Sequence, residues 1–234
     1  MSQALRVVTY NIHHGADYQD TPSLDSITAV LADLDADIIA LQEVDMNLPR
    51  SGRQKQAAEL ARRLNMGYVF GAAMHYGIGS YGNAVLSRLS IAGYNTIPLP
   101  DPQEDRCCLQ VNIQVGQDVL GFFAVHLGLD HQLRMQHLEQ QVLPAVLRFP
   151  GAVILAGDFN ATSSQPEIEL ITHYLTDSFH YNSGNLLNTF SSHKPMARID
   201  YIFTNSSLQI KRSYITSSDA SDHFPVTAEM ILNH

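Results

Sequence analysis

Short apolar runs separated by polar turns set the rhythm of this chain. Runs at 5–10, 37–41, 68–70, 83–86, 109–115, 119–125, 152–155, 199–203, 208–212 and 226–232 are mostly rich in Val, Ile and Phe. Short runs of this composition predict β-strands. Several, such as Val153-Ile154-Leu155-Ala156, do not alternate with polar residues, which predicts strands buried on both faces. Between them the period lengthens. Leu24, Ile27, Leu31 and Leu34 fall on one helical face, as do Ala57, Leu60, Ala61 and Leu64, with Arg62 and Arg63 turned away. Leu138, Val142, Val146 and Phe149 predict a third helix, which Pro144 should kink or interrupt. Residues 164–175, with Pro166 near the start, predict a fourth.

Residues 68–125 read as strand after strand with no helix, which favours antiparallel pairing there and mixed sheets overall. The expected architecture is α/β: two mixed sheets packed on each other, with helices outside. Length permits one large domain or two small ones. No linker-like tract, internal repeat or like-charge block divides the chain, so a single domain over 1–234 is expected.

Composition narrows the functional classes. Hydrophobic residues make up 45% and charged residues 16%, a globular balance that argues against disorder. The net charge is −9, which disfavours a passive nucleic-acid-binding module. It remains compatible with carboxylates gathered around a metal. The two cysteines, Cys107 and Cys108, are adjacent, so no disulfide and a reducing, cytoplasmic setting are expected. The start has no signal-peptide pattern, and no run approaches the ~20 apolar residues of a membrane span.

The chemistry lies in the polar residues at the ends of apolar runs. Asn11 follows Val7-Val8-Thr9-Tyr10, and Glu43 follows Ile38-Ile39-Ala40-Leu41-Gln42. His126 follows Phe122-Phe123-Ala124-Val125, and Asp158 and Asn160 follow the run at 153–157. Asp222 and His223 precede the last run. Taken singly, each has an ordinary reading: a loop carboxylate, a satisfied polar residue, a turn cap. Seven such positions at strand ends, all Asn, Asp, Glu or His, instead suggest one preorganised rim.

Thr9-Tyr10-Asn11, Leu41-Gln42-Glu43-Val44, Gly82-Asn83-Ala84-Val85-Leu86-Ser87, Val125-His126-Leu127, Gly157-Asp158-Phe159-Asn160, Arg198-Ile199-Asp200-Tyr201-Ile202-Phe203 and Ser221-Asp222-His223-Phe224-Pro225-Val226 resemble the motifs of the endonuclease/exonuclease/phosphatase superfamily. Each motif is weak alone. The set occurs in the family's order and spans residues 9–226. The resemblance implies a four-layer α/β sandwich of the deoxyribonuclease I type and hydrolysis of phosphoester bonds. It implies that Glu43 is the main ligand of a Mg²⁺ or Mn²⁺ ion, with Asn11 and Asp222 as neighbours, binding directly or through water. Asp158 would orient or deprotonate the attacking water, and Asn160 would hold a phosphate oxygen. His223 would contact the phosphate while Asp200 accepts its other ring proton. His126 would donate to the phosphate or the leaving group.

Softer candidates surround these. His13 and His14 could touch substrate or metal, or simply form a polar loop. Arg50, with Ser51 and Arg53, and also Arg106 and Arg134, are candidate phosphate contacts, although arginine is more often a solvated surface residue. Asn83 is a candidate for support of the site or of bound substrate. Thr189-Phe190 also fits a family position. The absence of His-Glu-x-x-His and Cys-x-x-Cys gives hydrolytic or structural zinc little support. Three readings compete: a phosphodiesterase on a small molecule or lipid head group, a nuclease, and a non-catalytic binding protein of the same fold. Acidity and the lack of a basic arm favour the first. The retained carboxylates and histidines weigh against the third.

Overall fold

The computed structural model describes residues 3–180 and 188–233. Two six-stranded mixed sheets lie face to face. The first contains β1 (Gln3–Asn11), β2 (Ile38–Met46), β3 (Gly67–Tyr76), β4 (Gly79–Ser87), β11 (Leu208–Ile215) and β12 (Val226–Leu232) in the order β11-β12-β1-β2-β4-β3. The second contains β5 (Ile91–Leu99), β6 (Arg106–Val115), β7 (Asp118–His126), β8 (Val153–Asp158), β9 (Thr176–Asp177) and β10 (Asp200–Thr204) in the order β5-β6-β7-β8-β10-β9. Each sheet has one parallel pair at its centre, β1 with β2 and β7 with β8. Every other pair is antiparallel.

The two-residue side-chain period explains the continuous apolar runs. Val7, Ile38, Phe122 and Ile154 enter the core between the sheets. Their neighbours Val8 and Ile39 face outward under α1 (Leu24–Leu34) and α2 (Gln56–Leu64). Phe123 and Leu155 face outward under the helices of the second sheet. Each central strand is therefore covered on both sides, and polar residues inside them, such as Thr9 and Gln42, are buried as well. Each buried Val, Leu, Ile or Phe contributes roughly 1.5–3 kcal/mol relative to exposure.

The third helix is interrupted just before Pro144, as the sequence predicts, by a change of turn type. α3 (His131–His137) passes through a wide π turn (Leu138–Val142) into α4 (Leu143–Arg148), with Pro144 in the first turn of α4. The Leu143 N–H reaches back five residues to the Leu138 carbonyl, so the loosened turn absorbs the hydrogen bond that proline lacks. The strand β5 lies outside the predicted runs. It carries Pro98 and is half exposed, and an edge strand tolerates both. The fourth helix is α5 (Pro166–Thr172). Among the described residues no helix is long and apolar enough to cross a membrane.

Candidate active site

The parallel pairs matter because both strands of a pair end at the same edge. The C-terminal ends of β1, β2, β7 and β8 meet at one rim, where β10 and β12 begin. Asp200 pairs with Asp158, and His126 lies in register with Asp158. Residues as far apart as Asn11 and Ser221, 210 positions, thus meet at this rim, and Asn11 and Asp158, 147 positions apart, meet across the two sheets.

Asn11 is the tie. Its side-chain Nδ2 donates to Glu43 Oε1 at 3.1 Å and, from the other sheet, to Asp158 Oδ2 at 3.0 Å. Its Oδ1 accepts the backbone N–H of His13 at 3.0 Å, and its carbonyl accepts the Ser221 hydroxyl at 2.8 Å. Glu43 sits in a β-bulge: between the Leu41–Ala84 and Val44–Gly82 pairs, β2 inserts Gln42 and Glu43 opposite Asn83 alone. Its φ is +57°, a left-handed conformation that costs a non-glycine residue about 1 kcal/mol or more. The bulge re-aims the side chain toward Asn11, where a regular strand would direct it by simple alternation.

Around Asp158, the backbone N–H of Asn160 donates to Oδ1 at 2.9 Å, and Asn160 too has a positive φ. Asn160 Nδ2 donates to the Leu127 carbonyl at 2.9 Å and faces His126 Nε2 at 3.4 Å. His126 Nε2 and His223 Nε2 lie 3.6 and 3.7 Å from Asp158 Oδ2. His223 Nδ1 meets Asp200 Oδ2 at 2.9 Å. Asp158, Asp200 and His223 are buried and close enough together to share one cation.

The electrostatics split the two histidines. Burial, reinforced by Arg106 and His223, holds His126 well below the usual imidazole range, so it is neutral. The Arg106 guanidinium, a donor only, faces its Nδ1 at 3.5 Å. The His126 Nε2 faces the cleft, between the Asn160 amide nitrogen at 3.4 Å and Asp158 Oδ2 at 3.6 Å. Burial also opposes charge on His223, but Asp200, Asp158 and Asp222 outweigh it and push its pKa up, so it is an imidazolium. Asp158 is pushed up by burial and by Asp200, and Asp222 by burial with a contribution from Glu43. Asp200 Oδ1 is buried without a hydrogen-bond partner among the described residues. Four carboxylates against one imidazolium make an oxygen-donor site with surplus negative charge, and this chemistry fits a hard divalent cation.

The softer candidates divide. Arg50 pairs bidentately with buried Asp45, at 2.9 and 2.7 Å, with its guanidinium over the Tyr81 ring. His14 and Arg50 line a groove of about 740 Å³ together with Asp20, Ser23 and Gln56. Arg106 is buried between Glu104, Tyr81 and His126. Asn83 donates to the Cys107 and Ala124 carbonyls of the opposite sheet, so its amide braces the sandwich rather than facing the cleft. Arg134 is a correction. It is buried, its Nε bonds Glu167 at 2.7 Å, and its Nη1 bonds the Gly128 and Leu129 carbonyls, so its guanidinium is engaged in holding the fold.

Sequence reading left other contributors without a role. The Thr189 hydroxyl accepts the N–H groups of Ile199 and Asp200, setting the start of β10. The Phe190 ring lies 4.8 Å from that of His223. Gln56 accepts the Asp45 N–H and donates to the His14 carbonyl at 2.6 Å. Thr189 and Phe190 carried a signal in their motif position, but Gln56 carried none.

A two-sheet α/β sandwich with carboxylates, amides and histidines crowded at one strand-end rim is the architecture this chain shares with a known family. The model of the Endonuclease/Exonuclease/phosphatase family matches residues 8–223, and the chain belongs to that family. It is 27% identical over 246 aligned positions to the uncharacterized protein YbhP of Escherichia coli (strain K12), covering 98% of this chain and 97% of that one. Its fold is similar to the endonuclease/exonuclease/phosphatase from Beutenbergia cavernae DSM 12333, with TM-score 0.81, 24% identity, and 99% and 72% of the two chains covered. It is also similar to a mannosyl-6-phosphatase from Bacteroides thetaiotaomicron VPI-5482, with TM-score 0.78, 21% identity, and 97% and 99% covered. At these identities the structures establish the shared fold.

Proposed function

We propose that this chain, folded as one catalytic domain, is a divalent-metal-dependent phosphoester hydrolase, foremost a phosphodiesterase acting on a small molecule or lipid head group. The observation that carries the reading is the Asn11 amide joining Glu43 to Asp158 across the two sheets, within a ring of His126, Asn160 and His223. Family membership and the named activity of the Bacteroides phosphatase support phosphoester chemistry in general.

Each side chain has a task suited to its state. Asp158, steadied by Asn11 and the Asn160 N–H, orients the attacking water and takes its proton, help worth about 10²–10⁴-fold. The His223 imidazolium, held by Asp200, stabilises charge growing on the equatorial oxygens. Neutral His126 offers its Nε2 proton to a phosphate or leaving-group oxygen. Asn160 holds a phosphate oxygen once its amide turns from Leu127. A Mg²⁺ or Mn²⁺ ion held by Glu43 and Asp222 would polarise the phosphate and neutralise its charge. Asn11 orients Glu43 through its Nδ2, and its amide oxygen, which accepts the His13 N–H, keeps a second lone pair for the ion or its water. The buried free thiols of Cys107 and Cys108 suit a cytoplasmic setting.

The test is a metal-supplemented screen of bis-nitrophenyl phosphate, nitrophenyl phosphate, plasmid DNA, RNA and phospholipids. The reading expects turnover of a small diester with Mg²⁺ or Mn²⁺, abolished by chelator and restored by the ion. Full activity in excess chelator would reject the metal-based scheme. Preferential cleavage of DNA or RNA, with affinity falling steeply with salt, would point to the nuclease alternative.

A further inference from the structure

A second cluster of metal-binding atoms lies outside the site just described, on the loop that follows β1. His13 Nε2 and His14 Nε2 stand 3.6 and 3.8 Å from Asp20 Oδ1, and the three atoms lie within 4.8 Å of one another. We propose that His13, His14 and Asp20 form a transition-metal site of the Zn²⁺ class, chemically distinct from the oxygen-donor cluster around Asp158. Two imidazoles with one carboxylate leave coordination positions open. Imidazole ligation selects Zn²⁺, Ni²⁺ or Cu²⁺ over Mg²⁺.

Three observations point the same way. His13 Nδ1 lies 3.1 Å from the Asp17 carbonyl, which can only accept, so Nδ1 carries the proton. With Nδ1 as the donor, Nε2 is the nitrogen left to coordinate an ion, and it faces Asp20 Oδ1. A backbone carbonyl holding the far nitrogen is the arrangement that fixes a metal-binding histidine. Next, both histidines adopt left-handed backbone, at φ +44° and +45°, an uncommon conformation outside glycine that brings their rings to a 4.3 Å centroid separation. The Gln56 amide clamps the turn by donating to the His14 carbonyl, and a Cβ on Gly15 would fall 2.3 Å from that nitrogen. Finally, the return turn is fixed. Asp17 Oδ1 accepts the Gln19 and Thr21 N–H groups at 2.8 and 2.9 Å, which presents Asp20 to the two rings. Both rings are about four-fifths enclosed, while the Asp20 side chain is 78% exposed, leaving a route for an ion.

The site is local in sequence, eight residues from His13 to Asp20, and matches no His-Glu-x-x-His spacing. It does not depend on the phosphoester reading. Equilibrium dialysis of the full chain against Zn²⁺ in excess Mg²⁺, with the visible spectrum of Co²⁺-loaded protein as a second readout, tests it. Wild type should retain Zn²⁺ under these conditions. His14→Ala and Asp20→Ala should each weaken binding by at least ~10-fold, because outer-shell changes alone cost that much. His223→Ala should leave this binding in place. Asp20→Ala alters an exposed side chain, and circular dichroism confirms its fold. No retained Zn²⁺ in wild type, unchanged affinity in Asp20→Ala and His14→Ala, or loss only in His223→Ala would each overturn the proposal.

Discussion

The substitution Asp200→Asn isolates the electrostatic part of the proposed mechanism. Both partners of the Asp200–His223 contact are buried, and the 2.9 Å Nδ1–Oδ2 contact survives in geometry because the asparagine oxygen can still accept. Only the charge is removed. Two charges about 4 Å apart at an effective dielectric constant near 20 interact by ~4 kcal/mol, equivalent to ~3 pKa units on His223. The sign follows from the direction of the shift. The folded pKa of His223 is raised above the ordinary 6.5, so the pairing stabilises the fold fully below pH 6.5, and that stabilisation is lost as pH rises through the raised value. In Asp200→Asn the imidazolium should discharge earlier. The alkaline limb of kcat/KM for a metal-activated diester should move down by up to ~3 pH units, with losses reaching ~10²–10³-fold at the alkaline end. Near pH 6, where both proteins hold the proton, the difference should be small. A pH–rate profile, with circular dichroism to verify folding, reads this directly. An alkaline limb that stays in place in the folded variant would refute the assignment of His223 as a charged group held by Asp200.

Asp158→Asn should lower turnover by about 10²–10⁴-fold while leaving stability undiminished in thermal melts. Burial and Asp200 raise the Asp158 pKa, so its ionisation opposes folding increasingly as pH rises above 3.8, and asparagine removes that penalty. A large loss of stability with normal turnover would contradict both roles. Arg134→Met should destabilise the fold by up to about 3–5 kcal/mol in urea titrations, because it removes the buried cation beside the Glu167 carboxylate and leaves only the half-exposed His131 to hold it. An unchanged midpoint would show that the pair is not structural. Gly157→Ala should fail to give a stable fold, since its Cβ would lie 1.8 Å from the Val125 carbonyl between His126 and Asp158. A variant melting as wild type would contradict the packing described here.

Much of the architecture could be read from the chain because its causes are local. An apolar residue such as Ile154 beside Leu155 must be covered on opposite faces, so the runs themselves predicted buried strands and helices outside. Polar residues at the ends of the apolar runs, Asn11, Glu43, His126, Asp158 and His223, are conspicuous in the sequence for the same reason, although β2 continues past Glu43 to Met46. What stayed hidden was set by contacts between distant segments. Periodicity does not reveal that a bulge opposite Asn83 would turn Glu43 toward Asn11, since the bulge depends on pairing with β4. Arginine chemistry alone does not separate Arg134, neutralised by Glu167, from Arg106, aimed at His126. Nor does the pair His13-His14 announce that Asp20 folds back against both rings. Local pattern determined which residues must be buried and singled out the polar ones at the ends of apolar runs. The tertiary structure decided which of them meet, because hydrogen bonds and charge pairs act over a few ångströms in space and sequence separation does not specify that distance.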